Sequence, residues 1–289
     1  IRNIMLAASG GVSTQTDYNG KHMARHDERA VVSLNTPQNS MSLMAYNGSN
    51  AARRSGIEVL SDYTPPSPFR YTEVQAGYDY RRGDSLKYNV NVGFISGQEE
   101  TEQLSLTDYF PTEVYEIRRM ESQSNALTKN NTYELGGMFT HARGRHILQT
   151  RIKGSYGTQS NSGTNCMTDR TDENLISQLR RTRSDRDSKK LEWAFDYNQG
   201  MKNGAFLNAL LDLNYSKNYN DGWEIDTLGT TSFRTNLRNH GDGSVWNVQG
   251  QFGFSKDISK VSTIRLNYEF DYRNERSKQR SVDFLNDPL

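Results

Sequence analysis

Cysteine is nearly absent from this chain: Cys166 stands alone, so no internal disulfide can staple the fold, and no paired-cysteine metal motif exists. Proline is scarce, at six in 289 residues, which leaves long stretches free to donate backbone hydrogen bonds. Apolar residues are few as well. They make up 34% of the chain, mean hydropathy is −0.86, and a soluble chain of this length ordinarily carries more to fill its core. No run approaches the roughly 18 apolar residues of a transmembrane helix. Charge of one sign is not in excess: 35 basic against 34 acidic residues give a net +1, which argues against a general nucleic-acid binder. There is no phosphate-binding glycine loop, no nucleophile elbow and no zinc-protease motif, so the reading is not an enzyme and needs no cofactor. The chain opens at Ile1 without a basic-then-apolar leader and reads as cut from a longer protein. What is present is aromatic: Tyr, Phe and Trp reach 10%, too many for a disordered chain.

These aromatics fall in a period of two, the mark of a strand with unlike faces. Val74, Ala76, Tyr78 and Tyr80 alternate with Glu73, Gln75, Gly77 and Asp79. After a five-residue turn at 81–85, Leu86, Tyr88, Val90, Val92 and Phe94 alternate with Lys87, Asn89, Asn91 and Gly93. Such a turn sets Tyr80 opposite Leu86, with both apolar rows on one face. The pattern returns around Arg143-Gly144-Arg145, between Tyr133–Phe139 and Leu148–Tyr156. It returns again between Leu191–Tyr197 and Leu207–Tyr215, and between Trp246–Phe254 and Ile264–Tyr272. A weaker hairpin joins Ala30–Leu34 to Met41–Ala45 around Pro37, and residues 1–8 suit one more strand. Tyr78, Tyr80, Tyr197, Tyr268, Phe270 and Tyr272 lie near strand ends, as an interfacial girdle requires.

The links between hairpins read as long polar loops at 97–129, 157–188 and 217–244. Short turns alternating with long loops build transmembrane barrels. Loop aromatics Tyr109, Phe110, Tyr115, Tyr219 and Trp223 are the candidate ligand-binding residues, suited to stacking on a sugar or siderophore. The basic run Arg180, Arg181, Arg183, Arg186, Lys189, Lys190 reads as a solvated loop edge, with lipopolysaccharide phosphate as the sharper option. His141 and His146 flank a basic turn with no further metal ligands nearby. The acidic groups at 99–102 and 169–173 lack calcium-loop spacing. The implied fold is all-β, an antiparallel up-and-down transmembrane β-barrel of which about ten or eleven strands are visible. Residues 1–289 then form a single incomplete domain.

Gly10-Gly11 followed by Asp17-Tyr18, then Ser33-Leu34-Asn35, Met41-Ser42-Leu43 and Asn47, resembles the start of the barrel in TonB-dependent receptors and related outer-membrane barrel proteins of Bacteroidetes-type bacteria. Gly48 departs from the paired Asn usual there. The resemblance runs through the hairpins to Tyr272. It implies the N-terminal half of a plugged 22-strand barrel in the bacterial outer membrane, importing a siderophore, oligosaccharide or peptide. Its implied partners are membrane lipid, a plug domain, the remaining barrel strands, TonB and a surface lipoprotein. The competing expectations are a passive or structural outer-membrane barrel, and a soluble extracellular β-protein such as an adhesin or carbohydrate-binding module.

Overall fold

The computed structural model describes residues 3–16, 22–52, 62–63, 67–109, 118–171, 175–202, 204–229, 232–259 and 262–285. They form one antiparallel up-and-down sheet without helices. Its strands are β1 (Asn3–Thr16), β2 (His22–Asn35), β3 (Asn39–Ala52), β4 (Asp62–Tyr63), β5 (Ser67–Arg82), β6 (Leu86–Tyr109), β7 (Arg118–Arg143), β8 (His146–Thr171), β9 (Leu175–Gly200), β10 (Ala205–Leu228), β11 (Ser232–Ser259) and β12 (Ser262–Asp283). Eleven of them lie side by side in chain order; the two-residue β4 pairs with β6 just beyond the end of β5. Among the described residues, β1 pairs only with β2 and β12 only with β11.

The turns at one end are tight, and their chemistry is local. Arg143 pairs with His146, leaving a two-residue loop whose first member, Gly144, has φ +61°. That position favours glycine, as in a type II′ turn. Open space surrounds the point where a Cβ would sit on Gly144, so a substitution there is penalised by backbone conformation alone. Gly144→Val is expected to destabilise the hairpin by about 1–2 kcal/mol, read as a lower urea-unfolding midpoint in detergent. Gly83 plays a similar part at φ +58°. Its turn is tighter than the expected five residues, so Tyr80 pairs with Tyr88 and Arg82 with Leu86. The apolar rows share a face regardless, because the slip is by an even number of residues.

The other ends of the strands correct the sequence reading. In the segments 97–129, 157–188 and 217–244, expected as loops, the described residues are almost all strand. β7, β8 and β9 each run 26 residues, about 85 Å at ~3.3 Å per residue, where a membrane crossing needs only about 9–11 residues. Backbone ladder bonds require no apolar side chain, and in-register polar pairs knit the extensions. Ser96 Oγ donates to Asn131 Oδ1 (2.7 Å), Ser160 Oγ to Asp185 Oδ1 (2.6 Å), and Ser281 Oγ to Asn239 Oδ1 (2.6 Å). Each such pair contributes on the order of 0.2–1 kcal/mol. The acidic residues Glu99, Glu100 and Glu102 likewise sit on β6, and Asp169 on β8; Asp172 and Glu173 lie outside the described residues.

Candidate functional site

Register assigns every side chain to a face. Ile4, Leu34, Met41, Tyr78, Val90, Gly137, Ile152, Trp193, Leu213, Val248 and Tyr272 pair successively across the sheet, so all project to one side. The next row on that side is Leu6, Val32, Leu43, Ala76, Val92, Leu135, Gly154, Leu191, Tyr215, Trp246 and Asn274. The row lying between these two projects to the opposite side. It reads Met5, Ser33, Ser42, Gly77, Asn91, Gly136, Lys153, Glu192, Asn214, Asn247 and Arg273. One face is therefore almost uniformly apolar and the other polar.

Among the described residues, none covers the apolar face. Leu135 is 52% exposed, Leu266 63% and Tyr268 66%, and Ala205 is the one buried hydrophobic residue among the described residues. The face is a band rather than a full-length stripe. On β12 it runs from Ile264 to Tyr272, about 26 Å along the strand at ~3.3 Å per residue, or about 20 Å in height for a strand tilted near 40°. The band also slants. It reaches Tyr133 on β7 and Tyr156 on β8, whereas the residue in that same row on β12 is Arg276. A band that slides along successive strands is what a level belt looks like on tilted strands. Rings meet along its edges. Tyr80 stacks on Tyr88 at 4.9 Å, Phe94 meets Tyr133 at 5.0 Å, Tyr133 stacks on Tyr156 at 6.1 Å, and Tyr215 meets Trp246 at 4.4 Å. Within the band, the Phe270 ring lies over Gly250, where any Cβ would collide with it, so glycine makes room for the neighbouring aromatic. Beside Ala76 the small side chain leaves a depression of about 520 Å³ lined by Leu34, Leu43, Tyr78 and Val92.

The polar face is cross-linked at the same depth. Asn89 Nδ2 donates to Asp79 Oδ1 at 2.7 Å, Gln249 Nε2 to Asp271 Oδ2 at 3.2 Å and Gln251 Nε2 to Glu269 Oε1 at 3.1 Å. In each case donor and acceptor stand in register on neighbouring strands.

Beyond the band, on the apolar side of β10 and its neighbours, lies a charged and aromatic cluster. Tyr219, Asp221 and Trp223 alternate down β10, opposite Asp242, His240 and Arg238 of β11. Arg238 donates twice to Asp221, Nε to Oδ1 at 3.1 Å and Nη2 to Oδ2 at 3.0 Å. His240 meets the Tyr219 ring edge-on at 5.0 Å, and its Nδ1 is 4.0 Å from Asp221. The Arg238 hydrogen bonds hold the Asp221 carboxyl below its ordinary range, and the same bonds push Arg238 up. A lowered folded-state pKa means that the pair stabilises above the ordinary carboxylate range, about pH 4. That contribution is lost as pH falls through the lowered value. Asp221→Asn is thus expected to remove part of the acid-side decline, checked by unfolding midpoints measured against pH.

Of the expected ligand-binding aromatics, Tyr219 and Trp223 stand on strand β10 rather than in a loop, on the same side as the apolar band. Tyr109 is the last residue of β6; Phe110 and Tyr115 lie outside the described residues. The basic run is divided by the alternation: Arg181, Arg183 and Lys189 share the apolar side with Tyr219 and Trp223, while Arg180, Arg186 and Lys190 take the polar side. Asp221, Arg238 and His240 escaped the sequence reading. The i, i+2 spacings Tyr219-Asp221-Trp223 and Arg238-His240-Asp242 were the available signal.

No protein-family model matches this chain, and no curated protein matches it. Among solved structures it is similar to the toluene transporter TodX of P. putida, at 9% identity and a TM-score of 0.25, covering 98% of this chain and 89% of that one. It is similar to the ferric-catecholate import receptor Fiu of E. coli at 10% identity and a TM-score of 0.37, covering 94% of this chain and 61% of that one. For the ferric citrate transporter FecA the identity is 9% and the TM-score 0.32, with 98% and 57% covered. The chain thus spans about six-tenths of the two ferric receptors.

Proposed function

We propose that this chain is part of the wall of an outer-membrane β-barrel of the TonB-dependent-receptor kind, serving nutrient uptake. The observation that carries this reading is an apolar belt that no described residue covers, backed by a mainly polar face. In water, that much exposed apolar surface calls for a second layer; in lipid, it is already satisfied. The bilayer explains the belt's height, its slant and its aromatic edges with a single cause. The polar face then lines a wet lumen, where a plug domain would pack against rows such as Asp79–Asn89 and Gln249–Asp271.

Backbone groups exposed to lipid must be paired, so further strands would join β1 and β12. In this reading the belt is immersed near the tight turns, and the long polar extensions stand clear of the membrane on its outer side. The imported solute, whether siderophore, oligosaccharide or peptide, would meet the polar face. Tyr219 and Trp223 project to the opposite side, which argues against their stacking on a solute in the lumen. TonB and a surface lipoprotein are the partners this kind of barrel would use. A passive barrel would share the wall and lack the plug.

The test uses Cys166, which is exposed on the outer part of β8. In cells expressing the full-length protein, a membrane-impermeant maleimide is expected to label Cys166 without lysis. In a Cys166→Ser background, Asp84→Cys at the β5–β6 turn is expected to label only after the envelope is broken. Labelling of both sites on intact cells would remove the bilayer between them and leave the soluble adhesin-like reading. The reverse pattern would overturn the orientation.

A further inference from the structure

We propose that the sector β9–β12 carries a binding row for phosphate-bearing lipid headgroups, formed by Lys189, Lys217 and Arg276 along the outer rim of the apolar belt. This inference rests on the membrane reading above. In the row that holds Tyr133 and Tyr156, the next members are Lys189, Lys217, Ser244 and Arg276. Across β1 to β7 the same row is apolar: Ala8, Ala30, Ala45, Val74, Phe94, then Tyr133. Because the belt slants, the cations begin where the apolar residues Leu191, Tyr215 and Trp246 end, one row away. That is the level at which headgroup phosphates sit.

All three cations are exposed. Lys189 Nζ lies over the Tyr156 ring, 5.5 Å from its centroid, which holds the ammonium at the aromatic rim by a cation–π contact. The row beyond carries Asp187, Tyr219, Asp242 and Lys278, and Lys217 Nζ is 3.6 Å from Asp242 Oδ1. The corresponding rim on β2, β3 and β5, at Glu28, Asn47 and Thr72, offers no cation, so the site belongs to one sector. Charge and position both select an anionic lipid over a zwitterionic one, with each cation near a membrane surface contributing attraction to it.

Trp246 reports on the site from one row below. Trp193→Phe and Trp223→Phe leave it the sole indole of these 289 residues; any tryptophan elsewhere in the full-length protein is likewise replaced by Phe, and the protein is reconstituted in phosphatidylcholine bilayers. Either brominated phosphatidylcholine or brominated phosphatidylglycerol is then added at equal mole fraction, and quenching of Trp246 emission is measured. The expected result is quenching by both, with phosphatidylglycerol favoured by at least about threefold. That preference should vanish in Lys189→Gln/Lys217→Gln/Arg276→Gln while quenching by phosphatidylcholine persists. Equal quenching by the two lipids in the parent overturns the headgroup site and leaves the membrane reading intact. No quenching by either overturns both.

Discussion

Val92→Arg is expected to destabilise the membrane-assembled form by about 2–4 kcal/mol, whereas Asn91→Arg, one residue earlier, should change stability by less than about 1 kcal/mol. The two positions differ only in the face to which β6 turns them. Val92 stands in the row with Leu43 and Leu135, 46% exposed with no protein layer over it. In the proposed membrane setting, a guanidinium there would have only hydrocarbon to face. Asn91 stands in the polar row with Lys153 and Glu192, where water and ionic partners are at hand.

Loss of stability alone would not separate a lipid from a covering protein layer, so the depth profile matters. On β7, Leu135→Arg should cost nearly as much as Val92→Arg, while Tyr133→Arg, at the belt's rim, should cost about 0–1 kcal/mol, because a long cationic side chain near the interface reaches the headgroups. The measurement is the urea-unfolding midpoint of each variant of the full-length protein reconstituted in bilayers. A cost that stays as high at Tyr133 as at Leu135 would sink the belt and point to a packed apolar core instead.

The sequence exposed the strands where one face is apolar and concealed them where neither is. Tyr78 to Phe94, Leu135 to Ile152 and Leu191 to Leu213 alternate cleanly, and their hairpins and faces follow from that alternation. Ser160, Asn161 and Ser162, or Ser184 to Asp187, carry no such contrast. Yet they are strand, because their neighbours supply in-register backbone and side-chain partners, and that information lies in other parts of the chain. The same blindness hid the cluster around Asp221. A Trp and a Tyr in a polar stretch look like loop aromatics until register sets them beside Arg238 and His240. Reading the basic run 180–190 as one patch failed for a related reason. On a strand, consecutive charges belong to opposite faces, so only alternate members act together, and their real companions (Lys217 and Arg276) come from strands far along the chain.

The 289-residue chain by itself is expected to give no monomeric, detergent-stable barrel. Strand parity forbids it. Eleven strands in an up-and-down sheet leave β1 and β12 running in the same direction. The chain therefore cannot close on itself with an antiparallel seam, and two copies inserted with the same orientation cannot close on each other that way either. An odd number of additional strands restores antiparallel pairing at both edges. Until they are present, two rows of backbone N–H and C=O groups face lipid at a cost of several kcal/mol per unpaired group, or recruit other chains and aggregate. A parallel β1–β12 seam is the one escape, since parallel ladders are only slightly weaker per residue, and crosslinking decides it. In a Cys166→Ser background, Leu6→Cys on β1 is combined in turn with Phe270→Cys, Tyr272→Cys and Asn274→Cys on β12, all on the same face of the sheet. No intramolecular disulfide is expected at any register in the full-length protein, because other strands would stand between the two edges. A high-yield disulfide at one register, together with a monomeric heat-modifiable species from the 289 residues alone, would show a self-closed eleven-strand barrel. Its narrower lumen could not hold a plug domain, and the receptor reading would give way to a passive pore.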